Sequence, residues 1–200
     1  TRQSRVLLSA LSESVQQFRP LPAVLGELAS IERLTEGTTL RNSEFSATSF
    51  EAELRALPYS VVHIASHGQF DSDPKKSFLL TYDGKITMDD LEHYMKLTRF
   101  RDEPVELLTL SACRTAAGDD RAALGLAGIA IKAGARSALA TLWFVSDQAS
   151  SDLVAHFYEL LREDTPKVTA LQLAQKRMLT DARYRHPSYW APFLQIGNWL

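Results

Sequence analysis

One cysteine, Cys113, stands in the segment Leu110-Ser111-Ala112-Cys113-Arg114-Thr115, and of five histidines only His67 is followed directly by glycine. A thiolate is a strong nucleophile, but a free thiol near neutral pH is mostly protonated. An imidazole beside it can take the proton, or hold it as imidazolium and favour the thiolate electrostatically. Gly68 has no Cβ, so the backbone there can approach a ligand closely. The N–H groups of Gly68 and Cys113 together could hold the oxyanion of a tetrahedral intermediate. One such donor is typically worth about 10²–10³ in rate, and a positioned base about 10²–10⁴. These residue types point to nucleophilic attack on a carbonyl, with Cys113 as nucleophile and His67 as general base.

Both residues close a stretch that reads as a strand. Val61-Val62-His63-Ile64-Ala65-Ser66 is a short apolar, β-branched run, ended by His67-Gly68. Val105 to Ser111 is another, closed by Ala112-Cys113. Phe78 to Tyr82, Ser137 to Trp143 and Phe193 to Gly197 are further expected strands, with Asp83-Gly84 as turn chemistry after the first of them. Helices are expected over Val24 to Leu34, over a short segment ending near Leu57, from Met88 to Leu97 behind a Thr87 cap, and over Ala122 to Ala133 with Gly134 as its stop. Two amphipathic helices, Ser146 to Arg162 and Pro166 to Arg183, follow. Thr48 and Glu51 have capping-box spacing, and Pro58 ends the helix that they open. The recurrence of Leu7, Leu8, Leu11, Val15 and Phe18 reads as helical, so residues 1–24 are expected to be an N-terminal helical extension or a linker. Strands alternating with helices imply an α/β fold with a largely parallel sheet and helices on both faces. Ligands collect at the carboxyl ends of strands in such sheets, and His67 and Cys113 are expected there.

The bulk properties narrow the function. The chain has 200 residues, 45% hydrophobic and 23% charged, which suits one domain with a sizeable core. Its 22 Lys and Arg against 24 Asp and Glu leave a net charge of -2, so no basic surplus draws it to nucleic acid or an acidic membrane. Leu124 to Leu142 is the nearest approach to a membrane span, but Lys132 and Arg136 interrupt it. Val6-Leu7-Leu8 is too short for a signal-peptide core. One cysteine allows no intrachain disulfide, which fits a reducing, cytoplasmic setting. The chain begins at Thr1, and it reads as a portion of a longer protein.

The order and spacing of the pair agree with the caspase pattern, in which a histidine lies roughly 50 residues before an Ala-Cys motif; here the residue before Ala112 is Ser111 instead of Gln. Across the rest of the chain the sequence resembles the CHAT domain, a caspase- and separase-related peptidase module often found behind tetratricopeptide repeats. The matching segments run in family order: His63 to Gly68, Leu110 to Thr115, Ala133-Gly134-Ala135, Leu142-Trp143 with Val145 and Asp147, Phe157-Tyr158, Ala174-Gln175, and His186-Pro187 through Tyr189-Trp190-Ala191 to Phe193 and Gly197. The resemblance implies a caspase-like three-layer α/β/α sandwich with a mostly parallel central sheet, formed by residues 1–200 as one domain. It implies a dyad of Cys113 and His67, a protein or peptide substrate, and a repeat or sensor domain ahead of the peptidase in the full-length protein. Separases and gingipains often prefer a basic residue before the cleaved bond, read by an acidic pocket. Asp147 matches the family's Trp-x-Val-x-Asp segment, while the separase aspartate falls slightly further along, near Ser151, with Asp152 adjacent. Asp147, Trp143 and Asp152 are therefore the expected substrate-binding residues. The hydrolysis needs no metal or organic cofactor.

Plainer readings stand beside these. Cys113 alone would be read as a buried thiol acting as a small hydrophobe; the His-Gly pair and the family match turn the reading to a nucleophile. His63 lies inside its strand and reads as a structural or supporting group. His93, His156 and His186 read as solvent-facing or structural, and Trp143 and Trp190 as core residues, with Trp143 bordering the pocket. No Cys-x-x-Cys exists, so a zinc site is not expected. No Gly-x-Ser-x-Gly elbow is present, which weighs against another α/β hydrolase. The rival to a peptidase is an interaction module on the same fold, catalytically silent or switched on by a partner.

Overall fold

The computed structural model describes residues 5–70, 76–99, 104–115, 131, 134–143 and 145–200, with side chains at all of these except 70, 99 and 112–115. Nearly all of the helix expected over 122–133 lies outside them. Among the described residues, no helix is long and apolar enough to cross a membrane.

Strands that are apolar on both faces must be covered on both faces, and this sheet meets that demand. Its path runs β2 (Glu36–Arg41), β1 (Arg5–Ala10), β3 (Val61–Phe70), β6 (Leu107–Thr115), β7 (Ser137–Thr141) and β8 (Phe193–Gly197). All neighbours are parallel except β7 and β8, which are antiparallel. A hairpin of β4 (Phe78–Leu80) and β5 (Lys85–Thr87) joins β3 through Gly68 and Gln69, beyond the point where β1 leaves it at Ala65.

Two apolar clusters record the two faces. On one, Leu7, Val62, Ile64, Leu108 and Leu110 of the sheet meet Phe50 and Leu54 of α2 (Ala47–Ala56) and Leu91 and Met95 of α3 (Met88–Arg99). On the other, Val6, Leu8, Val61, Ala65, Leu107 and Leu139 meet α1 (Ala23–Glu32), α4 (Asp147–Arg162) and α5 (Lys167–Thr180). Adjacent residues of one strand fall in opposite clusters, as the two-residue period of a strand requires. This is an α/β/α sandwich in three layers. On α4 the buried stripe of Leu153, Val154, Phe157 and Tyr158 has helical spacing, and Ser146 caps the helix by accepting from Ala149 N–H at 3.3 Å.

Several boundaries differ from the sequence reading. The first residues are not helical: Arg5–Ala10 is an inner strand of the sheet. Val6-Leu7-Leu8 is apolar on both faces because helices cover both, and such a run carries no period that separates strand from helix. β2 and β5 were not expected at all; Glu-Gly-Thr-Thr-Leu-Arg is polar because β2 is an edge strand, with only β1 beside it among the described residues. The cap of α2 is Ser46, which accepts from Ser49 N–H at 3.0 Å, in place of Thr48. Gly134 does take a left-handed conformation (φ 114°), and its N–H bonds Ile131 O at 3.0 Å. Gly197 is required by space as well as by its φ of 96°, because a Cβ would lie 2.3 Å from Arg136 O.

Phe157 is fully buried where α4 meets the sheet. Phe157→Ala is expected to cost about 3–5 kcal/mol, read as a lower urea midpoint with an unchanged slope. A loss below about 1 kcal/mol would mean that this face repacks freely.

Candidate functional site

β3 and β6 are nearest neighbours, and their register pairs Ala65 with Ser111, then Gly68 with Cys113. Three residue steps on β3 thus answer two on β6. The extra residue makes a bulge at Ser66-His67, the type of irregularity that re-aims a side chain. Ser66 is buried and donates to Leu80 O of β4 at 2.7 Å, which anchors the bulge to the hairpin. Both strands continue two residues past the Gly68–Cys113 pair, so His67 and Cys113 lie just inside the strand ends that the sequence placed them on.

The His67 ring is largely enclosed, at 9% exposure. It lies against Phe18, with ring centroids 5.1 Å apart and a 38° tilt. Its Nε2 is 2.7 Å from the carbonyl oxygen of Arg19. A carbonyl only accepts, so Nε2 carries the hydrogen and donates it. The neutral ring then has its lone pair on Nδ1. This fixes tautomer and ring direction together, the two properties a general base needs set. Phe18 and Arg19 were not predicted as site residues. A backbone acceptor has no side-chain signature, and only the return of the β1–α1 loop (residues 11–22) over the strand end reveals it.

Asp147 opens α4, next to Ser146. Its Oδ2 accepts from Ala23 N–H, the first residue of α1, at 2.8 Å. Its Oδ1 is buried and meets no hydrogen-bond donor among the described residues. Burial raises the carboxyl above its ordinary pKa. The Ala23 N–H opposes that shift, the charge of Glu27 adds to it, and His67 and Arg19 oppose it electrostatically. Asp147 therefore shares an electrostatic environment with the candidate base. Trp143, just beyond β7, is 41% exposed. Asp152 has a different setting. Its carboxylate accepts from Tyr184 OH at 2.7 Å and Gln148 Nε2 at 2.8 Å, and Arg183 approaches it at 3.6 Å. It lines a separate polar cleft of about 310 Å³ with His156, Arg177 and Arg183.

The remaining histidines are accounted for by local contacts. His63 is fully buried, with Nε2 2.8 Å from Glu27 Oε1. His156 lies 3.5 Å from Glu159, and burial lowers its pKa. His186 accepts from Ser188 N–H at 3.3 Å in a short 3₁₀ turn, and His93 is exposed beside Tyr94. Among the described residues, no group of three or more His, Cys, Asp or Glu side chains could hold a metal ion.

A mostly parallel sheet between two helical layers, with a histidine and a cysteine on adjacent strands at one edge, has the architecture of caspase-like proteins. The CHAT domain model matches residues 1–198, and the chain belongs to that family. No curated protein matches the sequence significantly. Among solved structures, the Arg-specific cysteine proteinase gingipain R superposes with a TM-score of 0.63 at 10% identity, over 98% of this chain and 46% of its own. This chain thus spans less than half of gingipain R. Protein GSU0716 from Geobacter sulfurreducens superposes with a TM-score of 0.51 at 11% identity, over 90% of both chains. At these identities the likeness is one of fold.

The raised pKa of Asp147 has a direct consequence for stability. As pH rises past about 4, the unfolded carboxyl ionises first while the folded one still holds its proton. The group thus favours the fold at low pH and loses that contribution as pH climbs through its folded pKa. Asp147→Asn keeps an acceptor for Ala23 N–H without the charge. Its Tm is expected to exceed the wild type's at pH 7, with the gap closing below about pH 4. A lower Tm at pH 7 would show that the helix-end contacts outweigh the burial.

Proposed function

We propose that this domain is a cysteine endopeptidase in which His67 and Cys113 form the dyad. The observation that carries the reading is the β3–β6 register, with Gly68 opposite Cys113 and His67 in the bulge beside them, its Nε2–H held by Arg19 O. In the proposed cycle, His67 Nδ1 takes the thiol proton and the Cys113 thiolate attacks the peptide carbonyl carbon. The Arg19 carbonyl favours the imidazolium so formed. The N–H groups of Gly68 and Cys113 receive the oxyanion. His67 returns the proton to the leaving amine as the C–N bond breaks, leaving a thioester on Cys113. His67 then takes a proton from water, whose oxygen attacks the thioester and releases the carboxylic acid product with the free thiol.

The proposed substrate is a protein with a basic residue before the cleaved bond. Asp147 supports this, since its buried Oδ1 meets no donor among the described residues and a guanidinium or ammonium group would supply one. The exposed Trp143 ring would flank the incoming chain. Asp152 is the weaker candidate of the two acids because its oxygens are already engaged by Tyr184 and Gln148. Cytoplasmic location and control by a preceding repeat or sensor domain complete the proposal. One observation favours a conditionally active interaction module as the second reading: His67 is nearly enclosed, with Phe18 against its ring.

A fluorogenic peptide library varied at the residue before the cleaved bond, run with Cys113→Ala and His67→Ala, separates the two. The peptidase reading expects cleavage after Arg or Lys, lost in both variants by at least about 10³-fold. Asp147→Asn is expected to raise KM for basic peptides far more than for neutral ones. An interaction module would cleave nothing and would keep its partner binding in Cys113→Ala.

A further inference from the structure

Behind the candidate dyad lies a buried polar cluster that the proposed mechanism does not use. Its centre is Glu27 of α1, 1% exposed. Glu27 Oε1 is 2.8 Å from His63 Nε2 on β3, a close approach of a carboxyl and an imidazole rather than an aligned hydrogen bond. Glu27 Oε2 accepts from Ser111 Oγ on β6 at 3.0 Å. Ser150 Oγ of α4 lies 3.3 Å from Ser111 Oγ. Tyr158 OH donates to Thr109 Oγ1 at 3.1 Å and stands 3.3 Å from His63 Nδ1. A carboxyl and an imidazole taken fully out of water are costly, and hydrophobic side chains of the same volume would hold the layers together at least as well. Packing therefore does not account for this cluster.

Its geometry does. The two oxygens of one carboxyl contact two strands, and these are the strands that carry His67 and Cys113. His63 is four residues before His67, and Ser111 two before Cys113. Between those anchors and the dyad lies the bulge, where regular ladder pairing is interrupted. The anchors thus fix the strands' relative position just before the point where the ladder stops doing so. The same segment of chain reaches the site twice more: Arg19 O holds His67, and Ala23 N–H bonds Asp147. Ser151 Oγ–H also bonds Ala23 O at 3.1 Å, which ties α1 to α4.

We infer that Glu27 is the positioning residue of the dyad, bridging His63 on β3 and Ser111 on β6 so that His67 and Cys113 keep a reactive separation. The inference rests on the dyad reading above. Glu27 touches neither substrate nor the reacting atoms; it acts through the strands.

Cys113 is the only cysteine, so alkylation by iodoacetamide reports on it alone. The full chain and its variants Glu27→Gln, Ser111→Ala and Glu32→Gln would be alkylated from about pH 5 to about pH 9 and followed by mass spectrometry, with near-ultraviolet dichroism to confirm folding. Glu32 is on the same helix, but it is partly exposed and pairs with Arg41. The wild type is expected to react on the acid side well above a free thiol, through the imidazole-assisted thiolate. Folded Glu27→Gln should lose about 10- to 100-fold of that acid-side rate, and Ser111→Ala a smaller factor in the same direction. Glu32→Gln should match the wild type. In peptide hydrolysis the two site variants should lower kcat with KM within about twofold. Wild-type profiles in folded Glu27→Gln and Ser111→Ala would overturn the positioning role. If Glu27→Gln does not fold, Ser111→Ala decides it, since that variant leaves the Glu27–His63 pair in place. A wild-type Cys113 that reacts as a free thiol would remove the dyad reading itself, and this inference with it.

Discussion

Parallel pairing of β3 with β6 brings two distant segments of chain to the same edge of the sheet, and every other feature of the candidate site is built on that pairing. Parallel neighbours run in the same direction, so residues near the carboxyl ends of both arrive together. Such a pair has no hairpin to join it and needs crossovers, here built with helices against the sheet. The helical layers are thus a condition of the pairing as well as its cover. Val61, Leu107 and Leu139 pack on one layer while Val62, Leu108 and Leu110 pack on the other, and the sheet is held from both sides.

Onto this frame the region from Phe18 to Glu27 adds control over side chains. A strand pair sets backbone positions to within a residue, but it leaves ring orientation and tautomer open. Phe18 limits how the His67 ring can turn, and the Arg19 carbonyl selects Nε2 as the protonated nitrogen. Ala23 ties the start of α1 to Asp147 at the start of α4, and Glu27 spans the two strands. These contacts all come from residues 18–27, so a displacement of α1 together with the loop that leads into it would reach all of them.

The buried cluster around Glu27 also separates what stability asks for from what chemistry asks for. Tyr158, with its hydroxyl pushed to higher pKa mainly by burial, and Thr109, Ser111 and Ser150 all give up water to surround one carboxyl and one imidazole. Its hydroxyls and Glu27 Oε2 are hydrogen-bonded, while Glu27 Oε1 and His63 Nε2 face each other at 2.8 Å without an aligned hydrogen bond. Asp152, by contrast, accepts from Gln148 of its own helix and from Tyr184, and the second contact holds α4 against the segment after α5.

Some of this was legible from residues alone. The strand containing His63-Ile64-Ala65-Ser66, the strand ending near Cys113, the amphipathic helix from Ser146 and the closing Phe193-to-Gly197 strand follow from local pattern, because apolar period and turn chemistry are properties of neighbouring residues. The family was legible for the same reason, since its motifs are contiguous. Tertiary structure alone decided the rest. Arg5–Ala10 is a strand because two helical layers cover it, and β2 is polar because it is an edge; neither burial is written in the segment itself. Glu27 reads as one more acid on a helix until α1 is laid over β3 and β6. Arg19 acts through a carbonyl that every residue possesses, so its place beside His67 is a matter of where the chain returns in space. Local physics determines which elements form, while contacts between distant residues determine which of their groups meet.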